Sequence, residues 1–321
     1  MPVQVMKRVL VTGATGQIGS ELVPELIKIH GLDNVIIGVH RRKPDNQITD
    51  AIYEKVNVLN KEELDSTVNK HDIDTVYHLA AILSAAGEKN PWLAWDVNMN
   101  GTYNVLELAR THEMTRVFIP SSIAAFGPET PRINTPQETV LKPRTMYGLT
   151  KVSGELLANY YYEKFDLDVR GVRYPGIISY LTPPGGGTTD YAIEIFHEAI
   201  KHKKYTCFLR EDSTLPMMYM PDCIKATIDL MNTDLDKLIH HTDYNLAAIS
   251  FSPADLVTEI RKHIPDFEIL YEPDSRQTIA DSWPKTIDDS AARREWGWKP
   301  SYDLSQMTKD MLDNLRSRYS S

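Results

Sequence analysis

One pair of residues, Tyr147 and Lys151, has the types and the spacing for proton transfer. Positions four apart on a helix lie on one face, so the phenol and the ammonium would point the same way. A tyrosine ordinarily loses its proton near pH ~10, and a nearby positive charge favours the phenolate and lowers that pKa. Such a tyrosine can take a proton from a substrate hydroxyl. A surface helix with a solvated lysine has the same spacing, so the meaning of the pair depends on the elements around it.

Two serines follow a predicted strand at 115–120. Ligands in open α/β sheets bind beyond the carboxyl ends of the strands, so Ser121 and Ser122 would lie at a ligand site. Ser122 precedes Tyr147 by 25 residues, and the proline-containing segment 123–145 is predicted to be a loop that turns the serine hydroxyl toward the tyrosine. The alternative is that the serines cap a helix.

The start of the chain has a pattern typical of nucleotide binding. Residues 7–12 (KRVLVT) predict a short buried strand, and residues 20–30 predict a helix. Between them, Gly13, Gly16 and Gly19 have the spacing G-x-x-G-x-x-G. Glycines there let the backbone approach a pyrophosphate, and the helix N-terminus supplies free N–H groups. A tight turn that needs glycine for a positive φ is the alternative, but the flanking strand and helix favour nucleotide binding.

The second predicted strand, 34–40, leaves the choice of dinucleotide open. NAD-binding folds usually place an acidic residue at the end of this strand, where it binds the ribose 2′-hydroxyl. Here Val39 and His40 occupy that place, and Arg41 and Arg42 follow. The arginines would suit a 2′-phosphate, as in NADP enzymes, or they simply begin a solvated loop.

Further elements are predicted to border the same site. A helix at 61–70 precedes a strand at 75–81, whose last residues are small enough for a cofactor to pass close by. Residues 82–88 are predicted to form a loop above the site, and residues 98–110 a helix. Asn98 is either an inward polar group or an N-terminal cap of that helix.

Composition limits the classes of function. The 321 residues are 42% hydrophobic and 25% charged, which suits one large or two modest globular domains. The net charge of −9 argues against nonspecific binding of nucleic acid or membrane surfaces, and no apolar run reaches the ~20 residues of a membrane span. Two cysteines indicate a reducing compartment rather than a disulfide framework. With no signal or transit pattern before the first strand, we expect a cytoplasmic protein, or a mitochondrial matrix protein if the chain is a processed eukaryotic form.

The glycine turn, the serines and the Tyr-x-x-x-Lys pair together resemble the extended short-chain dehydrogenase/reductase superfamily, which contains the nucleotide-sugar epimerases. The resemblance covers nearly the whole chain. It implies an α/β fold with a doubly wound parallel (Rossmann) sheet and a smaller, discontinuous substrate domain. It also implies a homodimer paired through helices 98–110 and 147–164.

In that superfamily the matched serine, tyrosine and lysine, here Ser122, Tyr147 and Lys151, are the catalytic trio. The implied mechanism has Tyr147, as a phenolate, accept the proton of the substrate hydroxyl. Lys151 lowers the pKa of Tyr147 and holds the nicotinamide ribose. Ser122 hydrogen-bonds the substrate oxygen, and the hydride leaves for the cofactor.

Further segments resemble the L-threonine 3-dehydrogenases of the short-chain type, namely SSIAAFGPETP, RYPGIIS, PPGGGTTDYA, MMYMPD and ADSWP. This implies oxidation of the 3-hydroxyl of L-threonine to give 2-amino-3-oxobutanoate, with NAD as cofactor and no metal. That family usually has Asp at the position of Val39, so NADP stays open. The expected substrate-binding residues are Ser84, Ser122, Tyr147, Gly186, Thr188, Thr189 and Trp283. The expected cofactor-binding residues are Gly13, Gly16, Gln17, Ile18, Gly19, His40, Arg41, Asn57, Val58, Leu79, Ala80, Ala81, Asn98, Ser121, Tyr147, Lys151, Tyr174, Pro175 and Ile177.

The predicted dinucleotide domain is 1–175, to which 217–263 and 301–321 are expected to return. The predicted substrate domain comprises 176–216 and 264–300.

In the substrate domain, the segment Gly185-Gly-Gly-Thr-Thr189 offers backbone N–H groups and hydroxyls that suit a carboxylate, and it has no cation for a diphosphate. Two other functions stay open. One is a nucleotide-sugar epimerase or dehydratase on the same fold, because fold does not fix function. The other is a non-enzymatic NAD(P)-sensing module, which would not need Tyr147 and Lys151.

Overall fold

The computed structural model describes residues 8–40, 48–185 and 187–320. The strands are β1 (Val9–Thr12), β2 (Val35–Val39), β3 (Ile52–Lys55), β4 (Thr75–His78), β5 (Arg116–Phe118), β6 (Ser121–Ser122), β7 (Val169–Arg170), β8 (Val172–Tyr174), β9 (Gly176–Ile178), β10 (Lys204–Cys207), β11 (Leu215–Tyr219), β12 (Tyr244–Asn245), β13 (Ile249–Phe251) and β14 (Glu268–Tyr271). The α-helices are α1 (Gln17–His30), α2 (Lys61–His71), α3 (Ser84–Lys89), α4 (Pro91–Trp95), α5 (Gly101–Thr111), α6 (Met146–Phe165), α7 (Tyr191–His202), α8 (Met220–Asn232), α9 (Pro253–Arg261), α10 (Arg276–Asp281), α11 (Ser290–Trp296) and α12 (Leu304–Ser320). No helix in the described ranges is long and apolar enough to cross a membrane.

The main sheet is parallel, with six strands in the order β3-β2-β1-β4-β5-β7. Strands covered on both faces are expected to be almost wholly apolar, and β1 and β2 are buried along their whole lengths. Leu10, Ile36, Val76, Val117 and Val169 form part of one core with apolar residues of the flanking helices. The order reverses beside β1, and that is where a doubly wound sheet opens a ligand crevice. The predicted fold class is confirmed.

By its internal contacts the chain divides into two compact units. The first comprises 1–122, 145–173 and 224–244, and the second comprises 123–144, 174–223 and 245–321. This division differs from the predicted domains, because residues 123–144, 217–223, 245–263 and 301–321 belong to the second unit.

The reason for the difference is visible in α12, which packs against α7 and α9 of the second unit. Met307, Met311 and Leu315 of α12 are fully buried, and Asp310 accepts a hydrogen bond from Tyr219 at 2.6 Å. The assignment of a cofactor or a substrate to each unit stays a prediction.

Local structure differs from prediction between residues 82 and 111. The predicted loop at 82–88 contains the short helix α3, whose Glu88 accepts a hydrogen bond from the backbone N–H of Met146 at 2.7 Å. The predicted helix 98–110 is longer, because α4, a π-helical turn at Asp96–Asn100 and α5 follow one another without a break.

The strand predicted at 244–250 is two short strands. β12 pairs with β8, whereas β13 pairs antiparallel with β11. The chain therefore leaves one sheet and enters another within seven residues.

Candidate active site

The glycine turn has the geometry of a phosphate cradle. Gly13 has φ of +66°, and a Cβ there would lie 2.6 Å from the backbone nitrogen of Ala80. A Cβ on Gly19 would lie 2.5 Å from the carbonyl oxygen of Gly13, so α1 begins in close contact with the turn. Gly16 is the N-cap of α1, and neither a side-chain cap nor an acidic residue occupies the first turn of this described helix. The positive end of α1 is therefore available to an anion such as a pyrophosphate.

Gln17 and Ile18, which were expected to touch the cofactor, form the half-buried first turn of α1. The ends of β2 and β4 flank the same turn. Val39 is buried as the last residue of β2, and His40 after it is exposed. Arg41 lies outside the described residues, so the structure adds nothing to the choice between NAD and NADP.

Four more of the expected cofactor residues lie in the first unit near the ends of β3 and β4. Leu79, Ala80 and Ala81 follow β4 and are half-buried, and the N–H of Leu79 bonds to the carbonyl of Thr12 at 3.1 Å. Val58 is buried, and its carbonyl accepts a hydrogen bond from Asn104 at 2.9 Å.

Asn57 holds its own loop in shape. Its side-chain oxygen accepts the Leu59 N–H at 3.1 Å, and its backbone N–H donates to Glu63 at 3.1 Å. The structure therefore supplies a scaffolding role for Asn57, and its contact with a cofactor stays a prediction.

Asn98 is an inward polar group and not a helix cap. It lies within the π-helical turn and is buried. Its amide oxygen accepts the N–H of Ile82 at 2.8 Å, and its amide nitrogen donates to the Ile82 carbonyl and the Thr150 hydroxyl, both at 3.0 Å. Asn98 thus ties the segment after β4 to the helix that carries Tyr147 and Lys151.

The predicted trio comes together in the first unit. Tyr147 lies in the first turn of α6, where its phenol is hydrogen-bonded to Ser122 of β6. Lys151 follows one turn later, and its ammonium nitrogen lies 5.4 Å from the centre of the Tyr147 ring. The ammonium donates a hydrogen bond to the Pro120 carbonyl at 2.7 Å. A hydroxyl placed at Tyr147 would thus meet a phenol, a second hydroxyl and a cation.

Burial dominates the electrostatics of this trio. It raises the pKa of Tyr147 to about 12, and the hydrogen bond with Ser122 opposes this rise. It lowers the pKa of Lys151 to about 8, and the negative charge of Glu155 opposes this fall. The expected lowering of the Tyr147 pKa by Lys151 is not seen, because burial is the largest cause and raises this pKa. The ammonium lies beside the ring and bonds to a carbonyl, so desolvation is the larger effect and the resting phenol is protonated at neutral pH.

Sequence reasoning missed a buried ion-pair cluster beside the trio. Glu155 accepts hydrogen bonds from the hydroxyl of Ser121 and, at 2.8–2.9 Å, from two nitrogens of Arg173. Arg173 also pairs with Asp243 at 3.0 Å. Burial raises the pKa of Glu155, whereas Arg173 lowers it. Its spacing was the available signal, because Glu155 is four residues after Lys151 and so shares its helix face.

In the second unit, the expected cofactor residues surround Gly176 on β9. Tyr174 and Pro175 are buried, and Ile177 is half-buried. A Cβ on Gly176 would lie 2.6 Å from Cγ2 of Thr189, so Gly176 allows the glycine- and threonine-rich loop to approach β9.

The N–H groups of the glycine- and threonine-rich loop already bind a carboxylate of the protein itself. The Asp190 carboxylate accepts the N–H of Gly185 at 2.7 Å and the N–H of Gly187 at 2.8 Å. Two of the N–H groups expected to bind a substrate carboxylate are therefore engaged, and Gly186 lies outside the described residues. Thr188 is buried and Thr189 is half-buried, so hydroxyl groups remain as candidate contacts.

The two other expected substrate residues have clear positions. Ser84 is the buried first residue of α3 in the first unit. Trp283 is buried in the second unit, where its carbonyl accepts a hydrogen bond from Arg132 at 3.0 Å.

These residues fit a dinucleotide, because a glycine cradle, a free helix N-terminus and small residues after β4 occur together. The model of the NAD dependent epimerase/dehydratase family matches residues 9–247. An uncharacterized epimerase/dehydratase of Staphylococcus haemolyticus is 49% identical over 315 residues, which is 98% of this chain and 99% of that protein.

Solved structures are similar over the same length. An L-threonine dehydrogenase from Clostridium difficile superimposes with a TM-score of 0.96 and 50% identity, covering 98% of this chain and 99% of that one. A monomeric L-threonine 3-dehydrogenase from a metagenome gives a TM-score of 0.93 and 49% identity, covering 97% and 99%. With this family match and relatives of this length, the chain belongs to the NAD dependent epimerase/dehydratase family, within the extended short-chain dehydrogenases/reductases.

Proposed function

We propose that the protein is an NAD-dependent L-threonine 3-dehydrogenase that oxidises the 3-hydroxyl of L-threonine to give 2-amino-3-oxobutanoate. The observation that carries the proposal is the hydrogen bond between Ser122 and Tyr147, with the Lys151 ammonium beside the Tyr147 ring. Its support is the similarity, over nearly the full length, to structures of L-threonine dehydrogenases.

In this proposal Tyr147 is the general base and Lys151 supplies the charge that makes it one. With its pKa near 12 the phenol carries its proton at neutral pH, so Tyr147 must release this proton to solvent before it can act as a base. The Lys151 ammonium stabilises the phenolate, and Ser122 hydrogen-bonds the substrate oxygen while its proton moves to Tyr147.

NAD supplies the hydride acceptor, and the chain's residues hold it. The glycine turn and the N-terminus of α1 would bind the pyrophosphate, and Lys151 would bind the nicotinamide ribose. Substrate specificity is assigned to Ser84, Thr188, Thr189 and Trp283, of which Thr189 is the half-buried hydroxyl beside Gly176.

The first experiment follows reduced-nicotinamide absorbance with NAD and a panel of hydroxy acids. L-threonine should be the best substrate, L-serine should be weaker, and 3-hydroxybutyrate should be very poor because it lacks the amino group. Tyr147→Phe should lower turnover roughly 10²–10⁴-fold while NAD affinity stays nearly constant. Tyr162→Phe, on the same helix, is the matched control and should keep full activity. Near-normal turnover by Tyr147→Phe would refute the assignment.

A nucleotide-sugar epimerase or dehydratase is the second candidate, and one observation favours it. Arg132, Arg210 and Lys285 line a cavity of about 50 Å³ in the second unit, together with the carboxylates of Asp212 and Asp281. A diphosphate would need such cations, although Arg210 is already paired with Asp281 at 2.8 Å. Calorimetric titration of the NAD-loaded protein with L-threonine and with UDP-glucose separates the two. Tight UDP-glucose binding with no response to threonine would establish the second candidate.

For the cofactor we propose NAD ahead of NADP, since an absent acidic residue removes repulsion without building a phosphate site. Val39→Asp should raise the preference for NAD. A wild-type preference for NADP above about tenfold, or ~1.4 kcal/mol, would contradict this proposal.

We also propose a homodimer through the helices around residues 98–110 and 147–164. Large apolar side chains recur at helical spacing on the outer faces of α4, α5 and α6, with Trp92 at 83% and Leu156 at 65% exposure. The stripe comprises Trp92, Trp95, Tyr103, Leu149, Leu156 and Tyr160.

An exposed apolar patch of this kind is typical of a protein–protein interface. A chain of this length in solution should therefore have twice its monomer mass by light scattering, and Leu156→Lys should give monomers. Ile239→Lys, at an exposed apolar residue outside the stripe, is the control. Because the metagenome relative is described as monomeric, a monomeric wild type is the outcome that would refute the dimer.

A further inference from the structure

A small cavity with a mixed polar and apolar lining adjoins Lys151 in the first unit. Its volume is about 20 Å³, and its lining includes His78, Asn98, Ser121, Lys151 and Glu155. A buried water needs a volume of roughly 10–15 Å³ and two to four polar partners. Cavities that stay dry are lined by apolar groups, so this one has both the size and the chemistry for a single water.

His78 is the lining residue that most needs a partner. It ends β4, is 3% exposed, and its Nδ1 lies 2.8 Å from the hydroxyl oxygen of Thr12. Nε2 is buried, and within the described part of the chain no protein donor or acceptor reaches it. Because Nδ1 is taken by Thr12, Nε2 is the ring nitrogen available to a group in the cavity.

The protonation of His78 determines what it offers. Burial and, to a smaller extent, the positive charge of Lys151 together lower the pKa of His78 to about 3, so the ring is neutral. If Nδ1–H donates to Thr12, then Nε2 is an acceptor. Lys151 has three N–H donors, of which one is used by the Pro120 carbonyl. In this tautomer a donor-rich cation and an acceptor without a protein partner border the same cavity.

We propose that this cavity holds one ordered water molecule, which accepts a hydrogen bond from the Lys151 ammonium and donates one to Nε2 of His78. His78 is then a positioning residue, because it acts on the substrate hydroxyl only through Lys151. The inference rests on the proposed role of Lys151 in holding NAD and is independent of threonine as the substrate.

The water would support the charge that the site needs. The titratable groups facing Lys151 are Tyr147 and Glu155 on its own helix and His78 on β4. Glu155 is itself engaged with Arg173 and Ser121, so it opposes the desolvation of Lys151 only in part. A hydrogen bond to the ammonium favours the charged form and raises its pKa. Without the water, Lys151 would lose its proton at a lower pH.

The test measures NAD binding by calorimetry from about pH 6 to pH 10, with no threonine present. His78→Leu removes the acceptor, and His78→Gln restores one on a side chain of similar length. In His78→Leu the alkaline limit of NAD binding should move down by about one pH unit, with about tenfold weaker binding at the alkaline end. In His78→Gln the alkaline limit should lie close to that of the wild type. Lys151→Met should abolish the pH dependence of NAD binding in this range.

A high-resolution crystal structure of the wild type provides a second, independent measurement. It should show a water within hydrogen-bonding distance of both Nε2 of His78 and Nζ of Lys151. A dry cavity, or a His78→Leu variant with the wild-type pH dependence, would overturn the proposal. If His78→Leu fails to fold, the wild-type crystal structure and the pH dependence of His78→Gln still test whether the water is present. Failure here leaves the dehydrogenase proposal standing, since that proposal is tested by oxidation of threonine.

Discussion

Replacing Lys151 by Met should stabilise the protein in the absence of cofactor, although it removes a group proposed to be catalytic. The pKa of Lys151 falls from an ordinary 10.5 to about 8, a fall of about 2.5 units. At 1.36 kcal/mol per unit, the folded protein loses at most ~3 kcal/mol by keeping this ammonium charged. Methionine has a similar shape and no charge, but the hydrogen bond to Pro120 is lost, at about 1–2 kcal/mol. The expected net gain is about 1–2 kcal/mol.

The sign of this effect determines its pH dependence. Below pH ~8 the lysine is protonated in both the folded and the unfolded states, so the wild type bears the full penalty. Between about pH 8 and pH 10.5 the folded protein releases this proton before the unfolded chain does, so the wild-type stability gains on that of the variant as pH rises. Above pH ~10.5 both states are neutral, and the advantage of Lys151→Met disappears.

Thermal unfolding of the cofactor-free protein at pH 7 and pH 10 measures this difference. The variant should melt about 2–8 °C higher at pH 7, since each kcal/mol is worth roughly 2–4 °C in larger domains. Lys164→Met is the control, because Lys164 is exposed near the end of the same helix, and its effect should be within ~0.5 kcal/mol. Adding NAD should reverse the order, because it stabilises the form that binds it. A variant less stable than the wild type at pH 7, or a difference independent of pH, would refute the reasoning.

Two further predictions concern glycines. Gly176→Ala would place a methyl group 2.5 Å from Sδ of Met217 and 2.6 Å from Cγ2 of Thr189, so it should displace Thr189 and raise KM for threonine. Steady-state kinetics at saturating NAD measures this, and an unchanged KM contradicts it. Gly171→Ala would place a methyl 2.4 Å from a backbone carbonyl oxygen, so it should cost about 2–3 kcal/mol in urea unfolding. Gly154→Ala is its matched control, since nothing lies within 4 Å of the added carbon inside α6, and it should gain about 0.5–1 kcal/mol.

Features with a local or periodic signal could be predicted from the sequence. The main parallel sheet could be predicted, because buried strands such as β1 are continuous apolar runs in the sequence. A glycine turn after β1 also marks the point where the strand order reverses. Predicted strands were one to three residues too long at their ends, where the pairing with the neighbouring strand stops. The helix carrying Tyr147 and Lys151 was found to within a residue at each end, at Met146–Phe165.

Features that depend on tertiary hydrogen bonds could not be predicted. No pattern in the sequence shows that the Asp190 carboxylate occupies the N–H groups of Gly185 and Gly187. The raised pKa of Tyr147 was missed for a related reason, because desolvation depends on what covers the phenol and not on the spacing to Lys151. The pairing of Glu155 with Arg173 likewise joins positions 18 residues apart.

The π-helical turn at Asp96–Asn100 has a consequence for how this chain can vary in length. A π turn holds one residue more than the α-helix that would replace it, and π turns are found often at functional sites. Deleting one residue there would rotate α4 by about 100° relative to α5. Asn98 would lose its place opposite Ile82, and Trp92 and Trp95 would leave the apolar stripe. One deletion would thus disturb both the candidate active site and the apolar stripe. Relatives should therefore tolerate substitutions in this turn far better than changes in its length.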